Sequence, residues 1–215
     1  MPTRKKQSLD KCLLAAQLMI NNSLGDPGIL AALSQFGYDQ DKLQGGKQLL
    51  DEVKTLSNKQ AVEYGIQYAA ADGLKEKWAT ANKSYIRTLK VARIALAGNP
   101  KAEAALLLRG RRKQSLAGWL DQATTFYTNL LNDPDLSQQM VEYGYAPAKL
   151  EVEADLIRRV AAANTTQKQN KGSARQATGH RNAKLAELEA WLSDFRAIVR
   201  VALEDHPAWL KQLGL

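Results

Sequence analysis

Apolar residues recur along this chain at spacings of three and four, the period of an α-helix with one buried face. The first run of this kind contains Leu9, Leu13, Ala16 and Ile20. A later run contains Tyr85, Leu89, Ala92 and Leu96. Alternating β-branched runs, which are typical of strands, do not occur. The pattern therefore predicts an all-α protein.

The pattern and its end signals predict five helices in the first half, which we designate A to E. Helix A covers about residues 8–22, and helix B covers residues 27–36. Helix C begins near Asp39 and helix D ends near Leu96. A short helix E covers residues 100–110.

Residues 39–96 form a stretch that is too long for one straight helix in a domain of this size. We expect a break near Gly65 or at Asp72-Gly73, which would fold helices C and D into a long antiparallel hairpin. The second half offers two glycines for the same break: Gly172 and Gly179. Each unit is then a helical bundle, with short helices A and B packed on the hairpin.

The chain is predicted to be a tandem duplication of a unit of about 107 residues. Phe36-Gly37-Tyr38 recurs as Tyr143-Gly144-Tyr145 at an offset of 107 residues, and this register holds along most of the chain. Repeat 1 occupies residues 1–108 and repeat 2 occupies residues 109–215. We expect a pseudo-twofold or tandem arrangement, in which the repeats form separate bundles or pack as one continuous domain.

Residues that start and end helices are kept in both halves. Asp26 and Asp133 each precede a proline, which is typical of an N-cap followed by the first helical position. Asn99 has the same setting, and His206 is a weaker version of it. Two serines are further candidate N-caps: Ser8 and Ser115. Two glycines fit the left-handed residue after a helix: Gly37 and Gly144.

Composition favours a globular protein outside the membrane, because 45% of residues are hydrophobic, 24% are charged and no apolar run approaches the length of a membrane span. The basic N-terminus leads into an amphipathic stretch interrupted by Gln17, which indicates a helix rather than a signal peptide. The single cysteine, Cys12, favours a reducing cytoplasm. In general character the chain resembles bacterial helical proteins, which implies nothing about its activity.

Candidate chemistry is sparse, and we predict no catalytic, cofactor-binding or metal-binding residue. His180 and His206 have no second ligand at metal spacing, and His180 is expected in a solvated loop. Cys12 aligns with Trp119 and is interpreted as a buried apolar side chain. Gly45-Gly46 precedes a lysine but lacks the rest of a P-loop, so close packing or a kink explains it better.

Both halves keep an arginine within an apolar helical run, at Arg93 and Arg200. We interpret them as side chains at the edge of the core, paired with Asp26 or Asp133. An anion site shared by the two arginines is the alternative.

The largest difference between the halves is a basic stretch. Residues 156–186 contain no acidic residue and carry a net charge of +7, whereas the aligned residues 49–79 carry a net charge of −1. The candidate anion-binding residues are Arg158, Arg159, Lys168, Lys171, Arg175, Arg181 and Lys184. The stretch is either a solvated, mobile hairpin tip or a phosphate-binding surface. Because it has no aromatic residue, such binding would be independent of base sequence and sensitive to salt.

Three functional hypotheses follow. The favoured one is a non-enzymatic helical interaction or scaffold protein with a protein partner. The first alternative is sequence-independent binding of nucleic acid or another polyanion through residues 156–186. The second alternative is a small ligand bound in a groove between the repeats. No membrane partner is expected, and the oligomeric state is open.

Overall fold

The computed structural model describes residues 9–215, in which eight α-helices and no strands occur. The all-α prediction is therefore confirmed. In chain order the helices are α1 (Leu9–Gly25), α2 (Pro27–Ser34), α3 (Gln40–Ala95), α4 (Pro100–Ala105), α5 (Leu116–Asn132), α6 (Pro134–Val141), α7 (Pro147–Ala202) and α8 (Pro207–Gln212).

Most of the predicted N-caps form the expected hydrogen bonds. The Asp26 carboxylate accepts from the first free amides of α2, with Oδ1 2.9 Å from the backbone nitrogen of Gly28. Asp133 does the same for α6, and the side chain of Asn99 accepts from a free amide of α4. Ser115 caps α5. These side chains satisfy amides that no helical carbonyl reaches, and each contributes about 1 kcal/mol.

His206 is the exception among the predicted caps, and Ser8 lies outside the described residues. His206 occupies the N-cap position of α8, but its side chain makes no capping hydrogen bond. Its ring packs on Trp209 instead, with 4.2 Å between ring centroids. The capping prediction for His206 is therefore wrong, because an aromatic neighbour one turn away offers the imidazole a better contact.

The predicted break between helices C and D is wrong. α3 continues through Gly65 and Gly73 as one helix of 56 residues, and α7 has the same length and continues through Gly172 and Gly179. A glycine inside a helix costs only about 1 kcal/mol, and neither helix contains a proline after its first position. The length argument failed because each long helix packs in both compact units rather than in one.

Helix E is shorter than predicted. α4 ends at Ala105 rather than near Gly110, because Leu107 adopts a left-handed backbone with φ of 52°. The backbone amide of Leu108 then donates to the carbonyl of Glu103 at 3.1 Å, which closes the helix.

The described chain forms two compact units. Unit 1 contains α1, α2, the part of α3 up to Tyr64, the part of α7 from Ser173, and α8. Unit 2 is Gly65–Gly172, which contains α4, α5, α6 and the remaining parts of α3 and α7. Each unit therefore draws on both halves of the chain. The predicted boundary between residues 108 and 109 falls inside unit 2, so the compact units do not follow the predicted division.

Unit 1 is held by a core of aliphatic and aromatic side chains. Its aromatic centre is Tyr38 stacked on Phe195, with 5.0 Å between ring centroids. Full burial of one such large side chain contributes about 1.5–3 kcal/mol. The fully buried large side chains around this centre include Ile20, Ile29, Leu33, Leu43 and Leu50.

Unit 2 has a core with more aromatic residues. Tyr85 of α3 lies edge-on to Phe126 of α5, with centroids 5.5 Å apart. Phe126 and Tyr127 are themselves perpendicular, at 5.1 Å. Such edge-to-face pairs add about 0.5–1.5 kcal/mol to the burial of their area. The neighbouring core residues include Leu89, Ala92, Leu96, Leu130, Leu150 and Val160.

The Gly45-Gly46 pair is explained by close packing at one of its two positions. A Cβ atom added to Gly46 would lie 2.3 Å from the Trp191 ring, whereas one added to Gly45 would meet nothing within 4 Å. Gly46 is therefore required by the position of Trp191, and Gly45 is not required by any contact.

The two glycines give a matched pair of variants. We expect Gly45→Ala to raise the free energy of unfolding by about 1 kcal/mol, because alanine favours the helix. We expect Gly46→Ala to lower it by about 1–3 kcal/mol, because the added methyl overpacks against the Trp191 ring. Urea denaturation followed by circular dichroism measures both. Equal effects of the two substitutions would contradict this packing.

Candidate anion-binding face

The seven basic residues predicted to bind anions all lie within α7. The prediction of a mobile hairpin tip is therefore wrong, and so is the loop predicted around His180, which is an exposed helical residue. The seven residues are also divided between the units. Unit 2 contains Arg158, Arg159, Lys168 and Lys171, and unit 1 contains Arg175, Arg181 and Lys184.

Acidic residues just outside the basic stretch neutralise its ends. The Asp155 carboxylate pairs with both Arg158, at 3.5 Å, and Arg159. At the other end, Lys184 Nζ lies 2.8 Å from Glu187 and 3.3 Å from Glu52. Hydrogen bonds to these two carboxylates raise the pKa of Lys184 above its usual value. These three cations already have anionic partners within the protein.

The middle of the stretch keeps its charge available to solvent. Lys168, Lys171 and Arg175 are exposed and form no ion pair within residues 9–215. Arg181 is half-buried, and its Nε atom is buried without a hydrogen-bond partner in that part of the chain. Only part of the predicted site is thus available to an external anion.

A second basic segment was missed by the sequence analysis. Residues 77–102 contain no acidic residue, and all of their basic side chains are exposed: Lys77, Lys83, Arg87, Lys90, Arg93 and Lys101. The aligned residues 184–209 contain five acidic and three basic residues. A scan for acid-free windows over the whole chain would have found the segment. It was hidden because its apolar residues drew attention to the core.

Three of these cations form one face of α3, which we call the α3 face: Lys83, Arg87 and Lys90. Their spacings of four and three residues place them on the same side of the helix. On the opposite side, Tyr85, Leu89 and Ala92 are buried in the core of unit 2. The core therefore fixes the α3 face toward solvent. None of its three side chains forms an ion pair with any described residue.

Two flanking cations have partners within unit 2. Arg93 Nε donates to the backbone carbonyl oxygen of Leu108 at 2.7 Å, so its predicted pairing with Asp26 or Asp133 is wrong. Lys101 pairs with Asp133 instead, at 2.6 Å. This contact lowers the pKa of Asp133 and raises the pKa of Lys101. Arg93 is closer to a carbonyl at the end of α4 than to any carboxylate partner.

Charge is distributed unevenly between the units. Unit 2 contains sixteen lysines and arginines against ten aspartates and glutamates, a net charge of +6 out of +8 for the whole chain. A net positive charge on this scale attracts polyanions and increases their association rate. The α3 face thus belongs to the more basic of the two units.

A buried polar cluster in unit 2 was also missed. Glu153 of α7 is buried, and its Oε2 atom accepts hydrogen bonds from the Thr88 hydroxyl and, at 2.9 Å, from the Tyr127 hydroxyl. Burial and the nearby Glu153 charge raise the pKa of Tyr127 well above its usual range. The cluster satisfies its members internally, so we assign it to the core.

The remaining candidate groups have ordinary structural roles. Cys12 is half-buried rather than buried, and burial together with Glu189 raises the pKa of its thiol, which disfavours a reactive thiolate. Among residues 9–215, no group of three or more histidine, cysteine or acidic side chains is placed to hold a metal ion. The same residues include no helix with the length and apolarity that crossing a bilayer requires.

Comparisons with protein-family models, curated proteins and solved structures give no match to this chain.

Proposed function

We propose that this protein is a helical interaction protein that binds a protein partner through an exposed apolar patch on unit 1. The patch, which we call the α1 patch, consists of Leu14, Leu18 and Leu215. Leu14 is 69% exposed and Leu18, one turn later on α1, is 46% exposed. Leu215 is 37% exposed, and Leu18 Cδ2 lies beside the preceding residue, Gly214. Clustered exposed leucines mark interaction surfaces more often than single ones do.

The α5 helix of unit 2 supports this proposal by contrast. At the positions 107 residues after Leu14 and Leu18, it carries Asp121 and Thr125. Asp121 forms an ion pair with Lys113 at 2.9 Å, as expected for a solvated surface. A helix of the same length and similar setting therefore does not need exposed leucines to fold. Their presence on α1 favours a role in binding.

A double substitution tests the α1 patch. Leu14→Asp with Leu18→Thr introduces the residues of α5, so the fold should be retained while the apolar contact is lost. We expect a partner captured from the source cell by the immobilised wild-type chain to be at least tenfold depleted on the variant, since removing an anchor costs about 2 kcal/mol. Quantitative mass spectrometry of the captured proteins provides the measurement.

The control is Val152→Asp, which places a charge at an apolar side chain that is 66% exposed elsewhere, in unit 2. It should leave capture unchanged. Identical captured proteins on the wild type and the double variant, or no enrichment on the wild type, would rule out the α1 patch.

A second candidate function is sequence-independent binding of a polyanion such as nucleic acid. The observation that favours it is the set of exposed, unpaired cations in both basic segments, combined with the +6 charge of unit 2. Such binding depends on the release of counterions from phosphates and therefore weakens steeply with salt. Residues 156–186 are the surface first predicted for it, with Lys168, Lys171 and Arg175 available for contact.

Fluorescence anisotropy with duplexes of unrelated base sequence tests polyanion binding. If three cations contact phosphates, affinity should fall about 40-fold between about 50 and 200 mM salt, equally for every sequence. Absence of binding at the lower salt concentration would exclude this function.

We further infer that the chain arose by tandem duplication, and the helix lengths support this inference. α1 to α4 contain 17, 8, 56 and 6 residues, and α5 to α8 repeat these lengths in order. Asn22 Nδ2 donates to the Gln212 carbonyl at 2.7 Å in unit 1, and Asn129 donates to the Ala105 carbonyl at the same distance in unit 2. A cytoplasmic location and a small ligand between the repeats stay predictions from the sequence.

A further inference from the structure

We propose that the α3 face binds the phosphate backbone of double-stranded nucleic acid without reading its base sequence. Its members, Lys83, Arg87 and Lys90, lie outside the stretch first predicted to bind anions. The proposal rests on the second candidate function and identifies the main contact surface for it.

The three cations are free to bind phosphate because the protein offers them no anionic partner. The nearest acidic residues along the chain are Glu76 and Glu103. Glu103 is itself paired with Arg109, at 2.7 Å. A phosphate that binds the α3 face therefore displaces water and counterions and breaks no ion pair among the described residues. In residues 156–186, by contrast, binding at Arg158, Arg159 or Lys184 competes with carboxylates.

The arrangement of the α3 face suits a linear polyanion. From Lys83 to Lys90 the helix rises by about 10 Å, at 1.5 Å per residue. Duplex DNA presents about one negative charge per 1.7 Å of its axis, so several phosphates lie within reach of this row. Because the opposite side of α3 is buried in the core of unit 2, the row is held in place before binding. The backbone cost of ordering a binding segment is thus avoided.

Two other kinds of partner fit this face less well. Insertion into an anionic membrane requires an apolar helix side, and on α3 that side, with Tyr85 and Leu89, is buried. Single-stranded nucleic acid is held chiefly by base stacking on aromatic residues. Residues 77–102 contain only two aromatic residues, and neither Trp78 nor Tyr85 is exposed. Backbone contact with a duplex is the remaining mode for a row of cations.

The aligned face of α7 in unit 1 lacks these charges. The positions 107 residues after Lys83, Arg87 and Lys90 hold Ala190, Asp194 and Ala197. A long helix of this fold therefore forms without a basic row. The cations of the α3 face are a specific property of unit 2 and not a requirement of helix formation.

The test compares charge-matched variants of the full chain by fluorescence anisotropy with a short DNA duplex. The α3 variant is Lys83→Gln, Arg87→Gln and Lys90→Gln. The control variant removes three exposed, unpaired lysines of unit 1: Lys11→Gln, Lys47→Gln and Lys59→Gln. A third variant, Lys168→Gln, Lys171→Gln and Arg175→Gln, removes the free charges of the stretch first predicted. Circular dichroism and thermal denaturation verify that each variant folds.

We expect the α3 variant to lower the slope of log affinity against log salt by about 2.7, since each phosphate contact contributes about 0.9. At about 50 mM salt its affinity should fall at least tenfold further than that of the control. If wild-type binding persists and the α3 variant behaves as the control does, or if only the third variant loses affinity, the α3 face is excluded while polyanion binding stands. No wild-type binding excludes both, and α3-dependent binding to phosphatidylserine vesicles but not to DNA overturns the proposal.

Discussion

The rotational setting of α3 about its own axis is the constraint on which the account of unit 2 depends. Tyr85, Leu89 and Ala92 are buried at helical spacing, so turning the helix by one residue would expose part of the core. Each fully buried large side chain contributes about 1.5–3 kcal/mol. This burial is much stronger than any surface ion pair. The core therefore determines which cations face solvent, and the α3 face results from it.

Equivalent positions in the two units meet the demand for a filled core in different ways. In unit 1, Gly46 makes room for the ring of Trp191. In unit 2, the residues 107 positions away are Glu153 and Ser84. There the smaller serine side chain leaves room for the buried Glu153 carboxylate and the hydroxyls that bind it. An aromatic ring in one unit thus corresponds to a hydrogen-bonded polar cluster in the other, and a polar cluster of this kind is stable only when its groups are satisfied.

Much of the local structure was predictable because its causes are local. The caps at Asp26, Asp133 and Asn99 depend on a few neighbouring residues, and the apolar period of α1 or α3 is visible in any short window. The uninterrupted α3 was not predictable in this way. A break at Gly65 or Gly73 depends on whether packing compensates the small cost of glycine, and that packing involves residues far along the chain.

The functional surface was harder to predict for the same reason. Charge counting found residues 156–186 but could not show that Glu52, more than a hundred positions away, neutralises Lys184. It also favoured the stretch with the largest net charge over the one whose cations have no partner. Sequence alone indicates where charge is concentrated. Availability of that charge depends on long-range contacts, which is why the α3 face emerged only from the structure.

The most direct test of this account is nuclear magnetic resonance of the isotope-labelled full chain during titration with a short DNA duplex at low salt. The account predicts that the largest chemical-shift changes occur in the exposed residues of α3 between Lys83 and Lys90, while the buried amides near Leu89 shift least. Changes confined to α7 around Lys168 and Lys171, or spread evenly over all exposed lysines, would contradict it.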